Sequence, residues 1–480
     1  MEAVKLAGLE PANVFAYFEK LCSIPHGSGN TKAISDYLVS FAEDKGLRYE
    51  QDDLNNVILF ADGTPGYEDH PAVILQGHMD MVCEKDADCL IDMECEGVDV
   101  THDGHYVFAN GTTLGADNGI AVAYALAILA DPSISHPPME IIITVDEETG
   151  MYGAAGIDLS RIKSRTMLNL DSDAEGVFTV SCAGGARGTI RLPFSRRAVY
   201  GPCVKLCVEG LRGGHSGVEI HKPYANANKV MGELLSRVQK LMPVCITKLE
   251  GGAKDNAIPR SCCATLVAMG IGLERINDIT AQLEKEIREQ FDEPDVRVLG
   301  DDVDALGGNA LSTQDSDKVI ALLCAAPNGV QSMSDNIEGL VQTSLNLGVV
   351  RLSEALEMTF AVRSSVNQEK RELLDRLAQL AAFYDASYEE KGDYPAWEYR
   401  KDSPLRDTMV AVYERMYGNA PKVEAIHAGL ECGLLSEKLP GLDCVAMGPT
   451  AYDIHTSRER LDIASTKRTW EFILETLKAL

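Results

Sequence analysis

The sequence predicts an α/β fold in which a mostly parallel sheet flanked by helices is interrupted by an inserted α+β domain. Short apolar runs such as Val73 to Gln76 and Met139 to Val145 are typical of buried parallel strands. Segments with helical periodicity alternate with these runs, as they do in α/β proteins. The order of the elements changes from about residue 187, and the α/β style returns after Pro395.

Length and charge narrow the class of protein. With 480 residues the chain is longer than one hydrophobic core usually supports, which predicts two or three domains. The net charge of −29, from 44 basic and 73 acidic residues, argues against nucleic acids and anionic membranes as partners. A carboxylate-rich cation site is compatible with this charge.

The sequence also predicts a cytoplasmic location. Met1 is followed by Glu2 rather than by a basic segment and an apolar stretch, so we expect no signal peptide. No run of 18 apolar residues predicts a transmembrane helix. The 13 cysteines are scattered and odd in number, and Cys262 is next to Cys263, so we expect reduced thiols rather than a disulfide framework.

Two helices and a pair of strands are predicted before residue 62. Apolar residues recur at helical spacing from Val14 to Cys22, and again from Thr31 to Lys45, where Gly46 ends the helix. The segments Leu47 to Glu50 and Asn56 to Ala61 have the pattern of paired strands.

The next strand presents the first candidate site residues. Val73 to Gln76 is an apolar strand that Gly77 is expected to end, and His78 and Asp80 follow two positions apart. In extended backbone such residues point to the same side. This arrangement suits a metal-ligating histidine that an acid holds in place.

A buried helix is predicted after an acidic, irregular stretch from residue 84 to residue 110. The run Ile120 to Ala130 is apolar nearly all round, as expected of a buried helix. Asp117 stands just before this helix, in the position of an N-cap.

More acids and a second histidine follow the remaining strands. Glu147 and Glu148 follow the strand at 139–145, Asp171 and Asp173 follow a strand at 167–170, and His455 lies in the loop after a strand at 443–447. The carboxyl ends of strands form the ligand crevice in open α/β sheets. Each residue alone has an ordinary explanation as a turn acid, a cap or a loop histidine. Together they have the composition of a two-metal hydrolytic site.

The middle of the chain predicts a repeated order of elements. A helix, two strands, a helix and a strand occur between residues 228 and 300, and the same order recurs between residues 315 and 391. This recurrence predicts two related α+β subdomains. The predicted domains are 1–186 plus 398–480, which carries the candidate site, and 187–397, which is inserted.

Four motifs resemble those of the M20 family of metallopeptidases, and in the same order. They are Gly77-His-Met-Asp80, Leu114-Gly-Ala-Asp-Asn-Gly-Ile120, Thr144-Val-Asp-Glu-Glu-Thr-Gly150 and Asn169-Leu-Asp-Ser-Asp173. The segment Ala425-Ile-His-Ala-Gly-Leu-Glu-Cys-Gly433 extends the resemblance, which is greatest to the dipeptidase branch of the family. The resemblance implies a catalytic α/β domain interrupted by a lid domain that closes over it.

The resemblance implies a role for each candidate residue. Asp117 would bridge two divalent metal ions, one held also by His78 and Asp171 and the other by Glu148 and His455. Glu147 would be the general base, and Asp80 would orient His78. Carboxylates and imidazoles suit Zn²⁺, which we expect, and also Mn²⁺ or Co²⁺.

Three residues of the inserted domain match substrate-binding positions of the family. The resemblance makes His215 the donor to the oxyanion, and it places Asn256 and Arg363 at the carboxylate end of the substrate. His221 is an alternative to His215, Asn256 could be a turn residue, and Arg363 could be a surface cation. Whether His215 would act in its own subunit or in a neighbour's stays open.

The implied activity is hydrolysis of dipeptides with a free amino terminus, including Xaa-His dipeptides such as carnosine. The alternatives are an M20-type tripeptidase, a deacylase of N-acyl amino acids, and a non-catalytic protein that binds a metal or a peptide. The family resemblance suggests a homodimer, although a doubled lid could replace the partner within one chain.

Overall fold

The computed structural model describes residues 5–268 and 272–480. Met1 and Glu2, on which the expectation about a signal peptide rests, lie outside the described residues. The second strand predicted between residues 228 and 300 covers 261–269, and its last position also lies outside the described residues. Among the described residues, no helix combines the length and the apolar composition that crossing a membrane requires.

The helices follow the predicted periodicity closely. In the first helix the buried side chains Val14, Phe15, Phe18 and Leu21 recur at helical spacing, and Gly46 ends the second helix in a left-handed conformation. The helices are α1 Ala12–Cys22, α2 Lys32–Lys45, α3 Ala116–Ala130, α4 Tyr152–Gly156, α5 Ala227–Gln239, α6 Leu273–Gln290, α7 Thr313–Ala325, α8 Asn367–Phe383, α9 Pro404–Tyr417, α10 Glu431–Lys438 and α11 Ile463–Ala479.

The strands are more numerous and several are longer than predicted. They are β1 Arg48–Gln51, β2 Val57–Ala61, β3 Val73–His78, β4 Val100–His102, β5 Tyr106–Ala109, β6 Met139–Thr144, β7 Thr166–Asn169, β8 Val177–Cys182, β9 Gly184–Pro193, β10 Arg196–Glu209, β11 Gly214–His215, β12 Val244–Gly251, β13 Ala257–Ile258, β14 Cys262–Ala268, β15 Arg297–Leu311, β16 Gly329–Met333, β17 Val341–Leu352, β18 Ala355–Ser364, β19 Ser387–Tyr394, β20 Lys422–Ile426, β21 Asp443–Ala446, β22 Ala451–Tyr452 and β23 Arg460–Asp462.

The chain divides into two compact units. The first unit contains the described residues up to Ser181 together with Tyr399–Ala425 and Leu430–Leu480, and the second contains Cys182–Glu398 and Ile426–Gly429. The second unit is therefore inserted in the sequence of the first. The short segment 426–429, which lies within the predicted range 398–480, groups with the second unit.

A mixed sheet forms the centre of the first unit. Its strand order is β1-β2-β6-β3-β7-β21-β8-β20, in which β6, β3, β7 and β21 run parallel and β1, β2 and β8 pair antiparallel. Ile74 and Leu75 of β3 are almost completely buried, as are Ile141 and Ile142 of β6. Parallel strands buried on both faces account for the continuous apolar runs of the sequence.

Two details of this unit differ from the prediction. Gly77 does not end the strand, because β3 continues through His78 in parallel register with β6. The stretch from residue 84 to residue 110 contains β4 and β5, which pair with each other, and β5 also pairs with β23 in a small four-stranded sheet. The sequence analysis missed these strands, and the sheet that β5 joins is completed by β23 and β22 near the other end of the chain.

One sheet of the second unit unites the two predicted subdomains. Its strand order is β15-β10-β14-β12-β17-β18-β9-β19, and β16 pairs with β17. When β10, β12, β14 and β15 are numbered 1 to 4 in chain order, their order across the sheet from one edge is 4-1-3-2. When β9, β17, β18 and β19 are numbered in the same way, their order from the other edge is also 4-1-3-2. The element order thus recurs as the sequence predicts, and the two halves join where Glu250 and Gly251 of β12 pair with Arg351 and Val350 of β17.

The four helices of these halves share one hydrophobic core. Side chains of α5, α6, α7 and α8 pack with alternate residues of the strands, such as Val204, Leu206 and Val208 of β10. Cys203, which directly precedes Val204 and therefore points to the other face, belongs to a separate small cluster with Val267. The helices therefore cover one face of the sheet.

The expectation of reduced cysteines is wrong for one pair. Cys207 and Cys263 form a disulfide between β10 and β14. The two residues face each other directly in the antiparallel register, so their side chains lie on the same face of the sheet. A pairing across strands 56 residues apart in sequence leaves no local pattern from which it could be predicted.

Candidate functional site

The candidate site of the first unit lies where its central parallel strands end. His78 is the last residue of β3, Glu147 and Glu148 follow β6, and Asp171 follows β7. Strand β3 lies between β6 and β7 and is parallel to both. The carboxyl ends of the three strands are therefore at one edge, which brings these side chains together.

His78 and Asp171 meet Asp117 at this edge. The Nε2 atom of His78 lies 3.3 Å from Oδ1 of Asp117 and 3.5 Å from Oδ1 of Asp171. His78 is only 1% exposed. These three side chains are the ones that the resemblance assigns to the first metal ion.

His455 approaches the other oxygen of Asp117. It lies in the turn between β22 and β23, and its Nε2 atom is 3.1 Å from Oδ2 of Asp117 and 2.9 Å from Oε1 of Glu148. His78, Asp117 and Glu148 also offer ligand atoms that lie within 4.8 Å of one another. The structure thus places the other four predicted ligands around the Asp117 carboxylate, whereas the side chain of Asp173 is exposed.

Asp117 is not the N-cap that its position in the sequence predicts. Gly115 is the N-cap of α3 and has a left-handed backbone, and Asp117 itself is extended, with φ −84° and ψ 99°. The peptide bond between Asp117 and Asn118 is cis. The Asp117 side chain accepts no capping hydrogen bond from the helix and points to the two histidines instead.

Asp80 contacts both the histidine and the loop that carries the two glutamates. Nδ1 of His78 lies 3.0 Å from the backbone oxygen of Asp80 and 3.4 Å from its Oδ1 atom. The Asp80 carboxylate also accepts hydrogen bonds from the backbone N–H groups of Glu147 and Glu148, at 3.2 and 3.4 Å, and from the hydroxyl of Ser28. One buried carboxylate therefore orients His78 and fixes the loop after β6.

Asn118 connects the ends of β3 and β7 to α3. Its Oδ1 atom accepts a hydrogen bond from the backbone N–H of His78, and its Nδ2 group donates to the carbonyl of Leu170. A Cβ atom at Gly77 would lie 2.3 Å from that Oδ1 atom and 2.7 Å from Cβ of Ala121. Only glycine fits at this position while Asn118 makes both contacts.

The electrostatics of the site favour cations. Burial lowers the pKa of His78, but the carboxylates of Asp171, Asp117 and Asp80 outweigh it and raise that pKa well above its usual value. Hydrogen bonds to Asp117 and Glu148 raise the pKa of His455 to about 10. Burial alone would raise the pKa of Asp117, yet the two imidazoles hold it below the usual range.

The donor set fits divalent metal ions. Within residues 5–268 and 272–480, the ion pairs formed by Asp117, Glu148 and Asp171 involve histidine only, and neither lysine nor arginine neutralises them. Imidazole nitrogens and carboxylate oxygens are common ligands of zinc and neighbouring transition metals. The site is therefore a candidate metal centre. Without metal ions the carboxylates favour protonated His78 and His455, and bound cations would replace those protons.

Glu147 differs from its neighbour Glu148. Burial raises the pKa of Glu147 to about 9, and the nearby negative charges of Asp171, Glu431 and Glu148 add to this effect. Glu147 forms no ion pair within the described part of the chain, whereas Glu148 contacts His455. Such a carboxylate attracts a proton readily, as a general base must.

Glu431 is a site residue that the sequence analysis missed. Its Oε2 atom accepts hydrogen bonds of 2.6 Å from both Gln76 and Thr144, which belong to β3 and β6. The side chain is fully buried, its pKa is raised to about 7 by burial, and its Oε1 atom accepts no hydrogen bond from the described residues. Glu431 lies in the segment 425–433, which resembles the family. The resemblance could therefore have pointed to Glu431, but it assigned this residue no role.

The contacts of His215, in the second unit, determine which of its ring nitrogens carries the proton. Its Nδ1 atom accepts hydrogen bonds of 3.2 Å from the backbone N–H groups of Gly217 and Val218. Burial and the positive charge of Arg363 lower the pKa of His215. The ring is therefore neutral with its proton on Nε2, which leaves that atom as a hydrogen-bond donor.

The structure brings Asn256 and Arg363 to the same loop as His215. The backbone oxygen of Asn256 accepts a hydrogen bond from the N–H of Ser216. A Cβ atom at Gly217 would lie 3.0 Å from the His215 ring and 3.2 Å from Nε of Arg363. That Nε atom is buried and donates to no group within residues 5–268 and 272–480.

His427 is a second residue that was missed. The same Cβ atom at Gly217 would lie 2.5 Å from the backbone oxygen of His427, whose Nε2 atom is 2.8 Å from the hydroxyl of Ser344. Burial, with the charge of Arg363, lowers the pKa of His427 to about 3, so this histidine is neutral. His221, the alternative to His215, is exposed.

Comparisons with known proteins identify the family. Residues 74–479 match the family described as peptidase family M20/M25/M40, so the chain belongs to this family of peptidases. It is 36% identical over 481 residues to the cytosol non-specific dipeptidase of Escherichia coli K12, covering 99% of each chain.

Solved structures show the same architecture. The aminoacylhistidine dipeptidase of Vibrio alginolyticus superposes with a TM-score of 0.93 at 35% identity, covering 99% of this chain and 98% of that one. A tripeptidase of Staphylococcus aureus superposes with a TM-score of 0.55 at 15% identity, with 98% of both chains covered, and shares the fold.

Replacing Gly77 by alanine tests the packing around Asn118. The new Cβ atom must displace Asn118 or Ala121, so we expect Gly77→Ala to lower the free energy of unfolding by about 1–3 kcal/mol. We also expect it to weaken metal binding, because Asn118 contacts both His78 and the residue before Asp171. Urea unfolding and the metal content of the purified protein measure the two effects.

Gly119→Ala, in α3 directly after Asn118, is the matched control. A Cβ atom at Gly119 would meet only Phe18, at 3.4 Å, which is an ordinary contact. Alanine also favours helix over glycine by about 0.5–1 kcal/mol. If Gly77→Ala were as stable as Gly119→Ala and bound metal equally well, this description of the site would be wrong.

Proposed function

We propose that this protein is a dipeptidase that hydrolyses dipeptides with a free amino terminus and depends on two divalent metal ions. The observation that carries the proposal is the Asp117 carboxylate, with one oxygen near His78 and Asp171 and the other near His455. The relatives named cytosol non-specific dipeptidase and aminoacylhistidine dipeptidase, which match over nearly the whole chain, support the substrate class. Xaa-His dipeptides such as carnosine are proposed substrates among others.

Five residues would hold the metal ions. His78 and Asp171 would bind one ion, Glu148 and His455 the other, and Asp117 both. Bound cations of this kind lower the pKa of a water molecule and polarise a carbonyl group. Zinc is the proposed metal because of the two imidazoles, with manganese or cobalt as substitutes.

Glu147 would move the proton during hydrolysis. Its carboxylate would accept a proton from the attacking water and later deliver it to the leaving amine. The backbone N–H of Glu147 donates to Asp80, so the same residue that orients His78 would also orient the base. Adjacent glutamates would thus have different roles, since Glu148 is held by His455.

The residues around Gly217 would bind the substrate. His215, with its proton on Nε2, would donate a hydrogen bond to the oxyanion. Arg363, whose buried Nε group donates to none of the other described residues, would bind the substrate carboxylate, because guanidinium matches carboxylate in shape. Asn256 is the proposed third member of this group.

We also propose a cytoplasmic location and a homodimeric assembly. The cytosolic name of the Escherichia coli relative supports a cytoplasmic location for this chain. The second unit is the proposed lid, and the family resemblance supports a homodimer. Small-angle scattering with and without a dipeptide analogue would measure both the oligomeric state and any closure.

Glu147→Gln tests the proposed general base. Glu147→Gln keeps the size of the side chain but removes its basicity, so we expect kcat to fall by about 10²–10⁴-fold. The metal content should stay near that of the wild type, because Glu147 is not a proposed ligand. Steady-state kinetics on a dipeptide and plasma mass spectrometry of the purified protein measure these quantities.

Glu148→Gln is the matched control for this prediction. The two variants make the same chemical change at adjacent positions, but Glu148→Gln should lose metal ions as well as activity. Loss of metal from Glu147→Gln, with activity restored by added zinc, would assign Glu147 to the metal and contradict the proposed role.

Metal removal and a substrate panel test the activity itself. Dialysis against a chelator should abolish hydrolysis of dipeptides, and zinc, manganese and cobalt, added singly, should restore it to different extents. The panel should contain carnosine, other dipeptides, tripeptides and N-acetylated amino acids. Hydrolysis of N-acetylated amino acids or tripeptides with dipeptides left intact would favour the alternative activities over this one.

Replacement of Arg363 tests whether this residue binds the substrate carboxylate. Replacing Arg363 by methionine should lower kcat/KM for a dipeptide by about 10–100-fold, as expected for a lost hydrogen bond to a charged group. The same dipeptide with an amidated carboxyl terminus should be affected little. Arg191→Met is the control, since Arg191 pairs with Glu357 and Glu389 on the same sheet. Equal losses on both substrates would contradict carboxylate binding by Arg363.

A further inference from the structure

A buried carboxylate remote in sequence holds the backbone of Asp117. Glu459 is 2% exposed. Its Oε2 atom accepts hydrogen bonds from the N–H groups of Leu114 and Gly115, at 2.7 and 3.1 Å. Its Oε1 atom accepts from the N–H groups of Ala116 and Asp117, at 2.8 and 3.3 Å. One side chain therefore satisfies four consecutive backbone donors.

These donors have no partner within their own helix. The first N–H groups of an α-helix lack an intrahelical acceptor, and α3 begins at Ala116. The extended backbone of Asp117 also departs from the helical path. Without an external acceptor, the segment from Leu114 to Asp117 would have several buried donors unpaired and no fixed conformation.

The acceptor comes from the segment that also provides His455. Glu459 follows His455 in the connection between β22 and β23, and the N–H of Glu459 donates to the carbonyl of Thr456. The same short connection thus places an imidazole beside the Asp117 carboxylate and an anion beside the Asp117 backbone. Side chain and main chain of Asp117 are positioned from one element.

We propose that Glu459 is a positioning residue for the metal centre, which fixes the Leu114–Asp117 backbone so that the Asp117 carboxylate stays between His78 and His455. The inference rests on the proposed function, in which Asp117 binds both metal ions. Its consequence is that loss of the Glu459 carboxylate weakens the binding of both ions together. A cap that served stability alone would leave metal affinity unchanged.

Glu459→Gln is the sharpest test, because it keeps the shape of the side chain. A carboxylate offers two acceptor oxygens, whereas an amide offers one oxygen and an NH₂ group. In the variant the NH₂ group would replace one of the two acceptor oxygens. It would then face two of the four backbone N–H groups, and neither side could accept a hydrogen bond. The segment must move to relieve this conflict, and Asp117 moves with it.

Glu140 provides a matched control in the same unit. It is 6% exposed, and its carboxylate accepts hydrogen bonds of 3.0 to 3.2 Å from the backbone N–H groups of Lys163 and Ser164. It lies near the beginning of β6, whereas the metal centre lies at the carboxyl end of that strand. Glu140→Gln makes the same chemical change to a buried backbone acceptor outside the site.

The experiment compares Glu459→Gln, Glu140→Gln and the wild type. Zinc affinity is measured by competition with a chromophoric chelator, metal per chain by mass spectrometry, and thermal unfolding on the chelated proteins. We expect Glu459→Gln to bind zinc about 10–100-fold more weakly at both positions, the usual cost of losing a residue that orients a metal ligand. Glu140→Gln should lower the thermal midpoint of the chelated protein and leave zinc affinity unchanged.

Two results would overturn the proposal: zinc binding by Glu459→Gln equal to that of the wild type, or an equal loss of affinity in Glu140→Gln. If Glu459→Gln does not fold, the charge-retaining pair Glu459→Asp and Glu140→Asp replaces it, and the same difference in zinc affinity decides the outcome. A wild-type protein that binds two zinc ions but leaves dipeptides intact would instead contradict the proposed function and leave the role of Glu459 to be judged from affinity alone.

Discussion

The placement of the Asp117 carboxylate between two imidazoles is the constraint on which the metal centre depends. Its two oxygens contact different histidines, His78 from β3 and His455 from the β22–β23 turn. A buried carboxylate is costly unless it is paired, and here the pairing also sets the distance between two candidate metal positions. Other parts of the first unit support this arrangement. The parallel strands β3, β6 and β7 end at one edge of the sheet, and Asp80 orients His78 and the loop that carries the two glutamates. Asn118 connects the ends of β3 and β7 to α3.

The local pattern of the sequence is sufficient to predict which residues are at the edge of the sheet. His78, Glu148 and Asp171 follow buried apolar strands, and the carboxyl ends of parallel strands coincide, so their convergence follows from the order of elements alone. The repeated element order in the second unit was predicted for the same reason. In both cases the information lies in short, contiguous segments whose periodicity reflects burial.

The failures all involve partners that are distant in sequence. Asp117 has the sequence position of an N-cap. The backbone N–H groups at the start of α3 instead donate to Glu459, which is 342 residues away from Asp117, and the Asp117 side chain contacts the two histidines. Strand β5 pairs with β23 near the end of the sequence, and Cys207 pairs with Cys263 across the sheet. Glu431 and His427 lie in a matched segment, yet only the three-dimensional contacts reveal what they touch. Such contacts leave no periodic pattern for a single sequence to display.

The insertion of the second unit has a consequence for how the protein is made. His78, Asp117, Glu148 and Asp171 leave the ribosome long before His455 and Glu459, because the whole inserted unit is translated in between. A nascent or truncated chain that ends before the β22–β23 turn carries all three proposed acidic ligands and His78, but it lacks His455 and also Glu459, which accepts hydrogen bonds from the Asp117 backbone segment. With the ligands proposed above, the two metal positions are complete only after the β22–β23 turn has been synthesised.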